Sequence, residues 1–137
     1  MTMSPAFALR KAIRARLLGQ APLLAALGGP KLYDEAPAGA EAPYALFADS
    51  QMRDWSASLA RGAEHYVTLA VISTHRGFSD ALKIAQHIVE SLDEAALALE
   101  GHALIDLRFV SMSVRRTQNG RFAAISILFR ATTEYLN

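Results

Sequence analysis

Asn119-Gly120 stands between two runs of alternating apolar residues, and no other feature of the chain constrains its fold as much. A two-residue type I′ turn needs positive φ at both central positions, and Asn-Gly supplies it most readily. With the turn there, flanking residues face each other symmetrically: Val114 opposite Ile125, Met112 opposite Ile127 and Val110 opposite Phe129. On the other face Ser113 opposes Ser126, Ser111 opposes Leu128 and Phe109 opposes Arg130. Turn chemistry and hydrophobic register agree independently. The expectation is a long C-terminal hairpin of strands 104–116 and 121–133, one face packed on a core helix. Such a hairpin suits a protein that works by contact and does not by itself mark a catalytic centre.

Upstream, Ser4-Pro5 reads as an N-cap with proline at the first helical turn. Ala6, Leu9, Ile13 and Leu17 then recur at helical spacing up to Gly19. A short second helix fits 22–27, stopped by Gly28-Gly29-Pro30. A short strand fits 31–33, a Pro-rich loop 34–43 and a strand 44–49. Residues 50–62 are polar and without a clean period, which predicts a mobile loop anchored by Trp55. Strand 65–73 places Val67, Leu69 and Val71 on one face and Tyr66, Thr68, Ala70 and Ile72 on the other, both apolar enough to be partly covered. Ser79 is the expected N-cap of the strongest helix, whose face is Ala81, Ile84, Ala85, Ile88, Val89 and Leu92, with Lys83, His87 and Glu90 pointing away. That helix is expected to fray through 93–99.

The order predicts an α+β fold: a mostly antiparallel sheet with helices packed on one face, a β-α-β-β core and the long hairpin. A parallel pairing across the β-α unit would need a right-handed crossover, which helix 79–92 supplies. At 137 residues and 52% hydrophobic, residues 1–137 are expected to form one domain with a sizeable core.

The chemistry is sparse. Fourteen Lys and Arg balance 13 Asp and Glu, and Cys is absent. The balance gives no electrostatic case for wrapping nucleic acid or coating a membrane. The missing thiols exclude disulfides, Cys-ligated zinc and thiol catalysis. No apolar run approaches a membrane span, and charges interrupt any signal-peptide core near the N-terminus. His65, His75, His87 and His102 lack metal-site spacing, so no metal and no cofactor are expected. Nucleophile elbow, P-loop and dinucleotide fingerprint are missing, and no enzymatic activity is expected. Gly28-Gly29-Pro30 has no preceding strand and reads as a helix stop. Asp34, Glu35 and Glu41 read as solvated loop carboxylates. Two basic groups remain as candidate interface residues: Arg10, Lys11 and Arg14 on the first helix, and Arg115, Arg116 and Arg121 around the hairpin tip. Each is either a solubilising surface or a contact for a neighbouring subunit or nucleic acid. Asp34 and Glu35 are the candidate acidic counterparts.

The chain resembles the small tail-completion, or tail-terminator, proteins of long-tailed phages and gene transfer agents. The residues that carry the resemblance are the N-terminal helix, Pro22-Leu23-Leu24-Ala25-Ala26-Leu27-Gly28, Leu32-Tyr33-Asp34, Pro37, Pro43-Tyr44-Ala45-Leu46-Phe47, the strand from Tyr66, Gly77-Phe78, Ile84-Ala85 with Ile88, and Leu128-Phe129-Arg130. Ala48 departs from the pattern, which often has Gly there. The resemblance implies a structural virion protein, a homo-oligomer that forms a hexameric ring capping the tail tube. It implies contacts with the tail tube protein and the head-tail connector protein, and DNA passing through the lumen without sequence-specific binding. It further implies residence in the tail of a virion or virion-like particle assembled in the host bacterial cytoplasm, with no membrane. The alternative reading is a small ferredoxin-like oligomeric ligand-binding module, which requires a concave pocket with convergent polar groups.

Overall fold

The computed structural model describes residues 3–74, 78–116 and 121–136. The Asn119-Gly120 turn, His75 and Gly77 lie outside the described residues.

Two helices open the fold, α1 (Pro5–Leu18) and α2 (Ala21–Leu27). Proline begins α1, and the Ser4 carbonyl accepts the Ala8 N–H at 2.9 Å, although the Ser4 side chain caps nothing. Leu9, Ile13 and Leu17 are buried, joined by Pro5 and Ala8, while Ala6 is half-exposed. Gly28 ends α2 at φ +81°, and the N–H groups of Gly28 and Gly29 both return to the Leu24 carbonyl at 2.9 Å. That left-handed turn is strained for any residue with a Cβ.

The remaining elements are β1 (Leu32–Tyr33), β2 (Tyr44–Asp54), β3 (Gly62–Ser73), α3 (Ser79–Leu92), β4 (Ala98–Leu99), β5 (His102–Arg116) and β6 (Ala123–Tyr135). They form one six-stranded sheet in the order β1-β2-β3-β6-β5-β4. Only β1 and β2 pair in parallel. The crossover from β3 through α3 therefore does not produce a parallel pair. It carries β5 one strand further, and β6 returns into the gap, antiparallel to both neighbours.

Four expectations need correction. Residues 50–54 are not loop: β2 continues to Asp54 across a bulge at Ala48, so that Phe47 faces Leu69 and Asp49 faces Thr68. The hairpin register holds from Arg116–Ala123 back to Ser111–Leu128, but Val110 is itself an extra residue, and Phe109 faces Phe129 in place of Val110. This returns the Phe109 ring to an edge-on contact with Phe129, centroids 6.2 Å apart, and puts Arg108 opposite Arg130. The N-cap of α3 is Phe78, with Ser79 inside the helix. Finally, α3 does not fray through 93–99. It stops at Leu92, Glu94 takes φ +58°, and the chain re-forms as β4.

All three helices contribute to a core on one sheet face. Leu9, Ile13 and Leu17 of α1 and Ile84, Ile88 and Leu92 of α3 meet Leu69 and Val71 of β3 and Ile125, Ile127 and Phe129 of β6. Among the described residues the opposite face carries no helix, and Tyr66, Thr68 and Ile72 on it are half-buried. The hairpin is asymmetric in burial: Ile125 is fully covered, whereas its partner Val114 is 48% exposed. The helical layer thus covers β6 but only part of the outer half of β5, where Met112 is partly buried and Val114 is exposed.

Candidate interaction surfaces

The basic residues of α1 are turned to use within the chain. Arg10 reaches Asp34 at 3.5 Å and lies over the Phe47 ring, 4.8 Å from its centroid. Lys11 pairs with Glu100 at 2.8 Å. Arg14 donates to the Leu32 carbonyl at 2.8 Å. Together these pin α1 to the β1–β2 edge and to the turn before β5. Glu35 is exposed beside Asp34. The hairpin arginines are also exposed. Arg116 stacks on Phe78 at 5.1 Å from the ring centroid, so the outer end of β5 lies against the start of α3. Arg115 and Arg116 face Ala124 and Ala123, without an acidic cross-strand partner. Among the described residues no ion pair joins Arg115, Arg116 or Arg121 to Asp34 or Glu35 within one chain.

A second charged group lies on the helix-free face. Glu64, 2% exposed, receives Arg130 at 2.6 Å and also Arg53. Burial pushes its carboxyl up, but the hydrogen bonds from Arg130 and Arg53 outweigh this and hold it below the usual carboxylate range. The Trp55 ring lies near both guanidinium groups, 5.4 Å from Arg130 and 5.7 Å from Arg53. Trp55 anchors the β2–β3 turn as expected, although half its surface is exposed. Sequence inspection missed this cluster because Arg53, Glu64 and Arg130 lie on three different strands.

On the helix side His65 shares a hydrogen bond with the Thr133 hydroxyl at 3.0 Å, and the His102 Nε2–H donates to the Met3 carbonyl at 2.6 Å. Burial, with a contribution from nearby His102, pushes the His65 imidazole down to about 4. Among the described residues no three metal-ligating side chains gather, and no helix is long and apolar enough to cross a membrane. The depressions are shallow. One, lined by Ser73, Thr74, Asp80 and Lys83 with Ala26 and Pro43 among others, is an open depression that brings several polar groups together.

The largest unsatisfied feature is the sheet margin. β1 covers β2 only at Ala45 and Leu46, so 47–54 form an edge. β4 covers β5 only at His102 and Ala103. Next along β5, the connector clips the strand: the Glu94 N–H donates to the Leu107 carbonyl at 2.8 Å, and the Asp93 carboxylate accepts the Phe109 N–H at 2.9 Å. From Val110 to Arg116 no described residue pairs with the edge. It carries exposed Val110 and Val114. An open edge of this length is a template for another strand unless something covers it.

The comparisons with known proteins agree with one another. Residues 11–134 match the family profile of tail completion protein gp17. No curated protein gives a match. Among solved structures, a chain from the virion of a native gene transfer agent particle superposes with a TM-score of 0.89 at 30% sequence identity. The match covers 97% of this chain and 99% of that one. A profile spanning nearly the whole sequence and a virion chain of the same fold and extent lead to one conclusion: the protein belongs to the tail completion protein gp17 family, structural proteins of phage-type tails.

Proposed function

We propose that the protein closes the tail tube as a homo-oligomeric ring, hexameric in the particle, and presents the finished tube to the head-tail connector protein. DNA then passes through the lumen without its sequence being read. Assembly takes place in the host cytoplasm, and the protein ends in the tail of a phage or gene transfer agent. The observation that carries this reading is the end-to-end likeness to a chain of a gene transfer agent virion. Two open margins on a single sheet support it, because a ring requires two different surfaces on each subunit. So does the charge balance of +1, which suits a conduit that does not grip its cargo. The role is structural, with no catalytic step.

Deletion of the gene tests the reading. Without the protein, tails are expected to be abnormal in length or to fail to join heads, as seen by electron microscopy. Tails of normal length with full head attachment would remove it. Arg115→Glu with Arg116→Glu is expected to block particle completion while leaving the purified chain folded by circular dichroism. Normal particles from that double variant would mean that the two arginines only solvate the tip.

A further inference from the structure

We propose that the two open margins of the sheet are each other's partners: β5 of one copy, from Val110 to Arg116, adds antiparallel to β2 of the next copy, from Ala48 to Asp54. This deepens the ring reading above and rests on it. The argument begins with strand direction. β2, β3, β6 and β5 alternate, so the two margins run in opposite senses. A neighbour related by rotation about an axis roughly along the strands keeps its strand directions. Its β2 then meets β5 in the antiparallel sense, and its helices stay on the same side of the continued sheet. The outward-facing backbone groups of the two margins gain the kind of partner the interior strands already have, and the Ser50 N–H, held in the single chain by the Asp49 carboxylate at 2.9 Å, exchanges it for a carbonyl. The lengths match, since each margin is about seven residues, roughly 24 Å.

Side-chain alternation then selects the register. On β5, Met112 and Val114 lie on the helix side, opposite buried Ile127 and Ile125, and Ser111, Ser113 and Arg115 lie on the helix-free side. On β2, Asp49, Gln51 and Arg53 share the helix-free side with Glu64 and Tyr66, and Ser50 and Met52 lie on the other. A one-residue slip would put each set against the wrong face. Of the registers that keep the faces, one sets Arg115 opposite Asp49, Ser113 opposite Gln51, Met112 opposite Met52 and Val114 opposite Ser50. It gives Arg115 a carboxylate, which it lacks among the described residues of its own chain, and covers Met52, 44% exposed, with a second methionine. The interface is heterologous, so repeating it closes a ring when the rotation per copy fits.

The absence of cysteine in the native chain makes a direct test available in assembled particles. Asp49→Cys with Arg115→Cys in one chain, after mild oxidation, is expected to give a ladder of covalent multimers ending at the closed ring. Each single variant is expected to give monomer. Mixing the two single variants is expected to stop at dimer. Met52→Cys with Met112→Cys checks the register and the helix-side face. Arg115→Asp is expected to lower particle yield about tenfold, and adding Asp49→Arg to restore it to within about twofold.

A covalent dimer from Arg115→Cys alone would mean that β5 pairs with itself about a twofold axis, and would overturn the proposal. So would the lack of multimers from both double-cysteine variants in particles that contain the folded protein. That result would leave the ring reading standing if the deletion still blocks completion. Normal tails in the deletion would instead defeat the ring reading, whatever cross-links form.

Discussion

The two residues of one cross-strand pair should differ sharply in what they contribute to stability. Ile125 and Val114 face each other, yet Ile125 is 0% exposed and Val114 is 48% exposed. Ile125→Ala removes three methylene equivalents, about 2.4 kcal/mol at roughly 0.8 kcal/mol each, before any cavity is counted. The site is enclosed by α3 and β3, so the loss belongs within the roughly 2–5 kcal/mol range for buried Ile→Ala. Ile127→Ala, equally buried, should behave the same way. Val114→Ala removes two equivalents, about 1.6 kcal/mol if buried, and about half of that at its observed exposure. Urea denaturation of the isolated chain at a concentration where it is monomeric should therefore separate the two variants by at least about 1.5 kcal/mol with an unchanged m-value. In particles the order should narrow, because Val114 becomes covered there. Equal losses in the monomer would refute the reasoning, since they would mean that the outer half of β5 is packed without any neighbour.

Acidification should destabilise the fold through His65. Its folded pKa of about 4 lies below the ordinary 6.5, so the folded state prefers the neutral ring. Stability is full above about pH 6.5 and falls between 6.5 and 4, by no more than roughly 1.4 kcal/mol per pH unit. His65→Gln should flatten that slope in a urea-midpoint series taken against pH. Glu64→Gln leaves Arg53 and Arg130 without their shared carboxylate, and should lower stability and loosen Trp55. The chain has a single Trp, so its emission should shift to the red, and an unshifted spectrum would show that the ring is held by other contacts. Gly62→Ala would put a Cβ 2.7 Å from the Thr133 carbonyl. It should cost about 1–3 kcal/mol by parting β3 from β6, measured by the same denaturation midpoint.

Much of the fold was readable because local signals agreed. Proline at the start of α1, the double glycine after α2 and the wide apolar face of α3 placed the helices to within a residue or two. What escaped was a change of phase. Leu107 and Phe109 carry the apolar pattern on odd positions, whereas Met112 and Val114 carry it on even ones. A strand can do that only by inserting a residue, here Val110. The same change occurs at Ala48, after Ala45 and Phe47 and before Ser50 and Met52. There it hid five residues of strand inside an expected loop. The interaction surfaces were less legible. Net charge and spacing pointed to basic residues, but could not tell those of α1, which are bound to Asp34, Glu100 and the Leu32 carbonyl, from Arg115, which has no such partner among the described residues. The Glu64 cluster depends on strand order, which no local pattern encodes.

The clip at Asp93 and Glu94 acts as a mechanical end-stop. A non-glycine residue at φ +58° costs about 1–2 kcal/mol, and here that conformation delivers the Glu94 N–H to the Leu107 carbonyl while Asp93 holds the Phe109 N–H. A strand sliding along β5 toward His102 runs into occupied backbone at Phe109. It meets the Val110 bulge, a change of twist, at the same place. Docking therefore has a built-in zero point, and an incoming strand is indexed from one end before any side chain is read. Subunits added in sequence would inherit the same index, so a positional error at one junction would not be passed on and accumulate around a closed assembly.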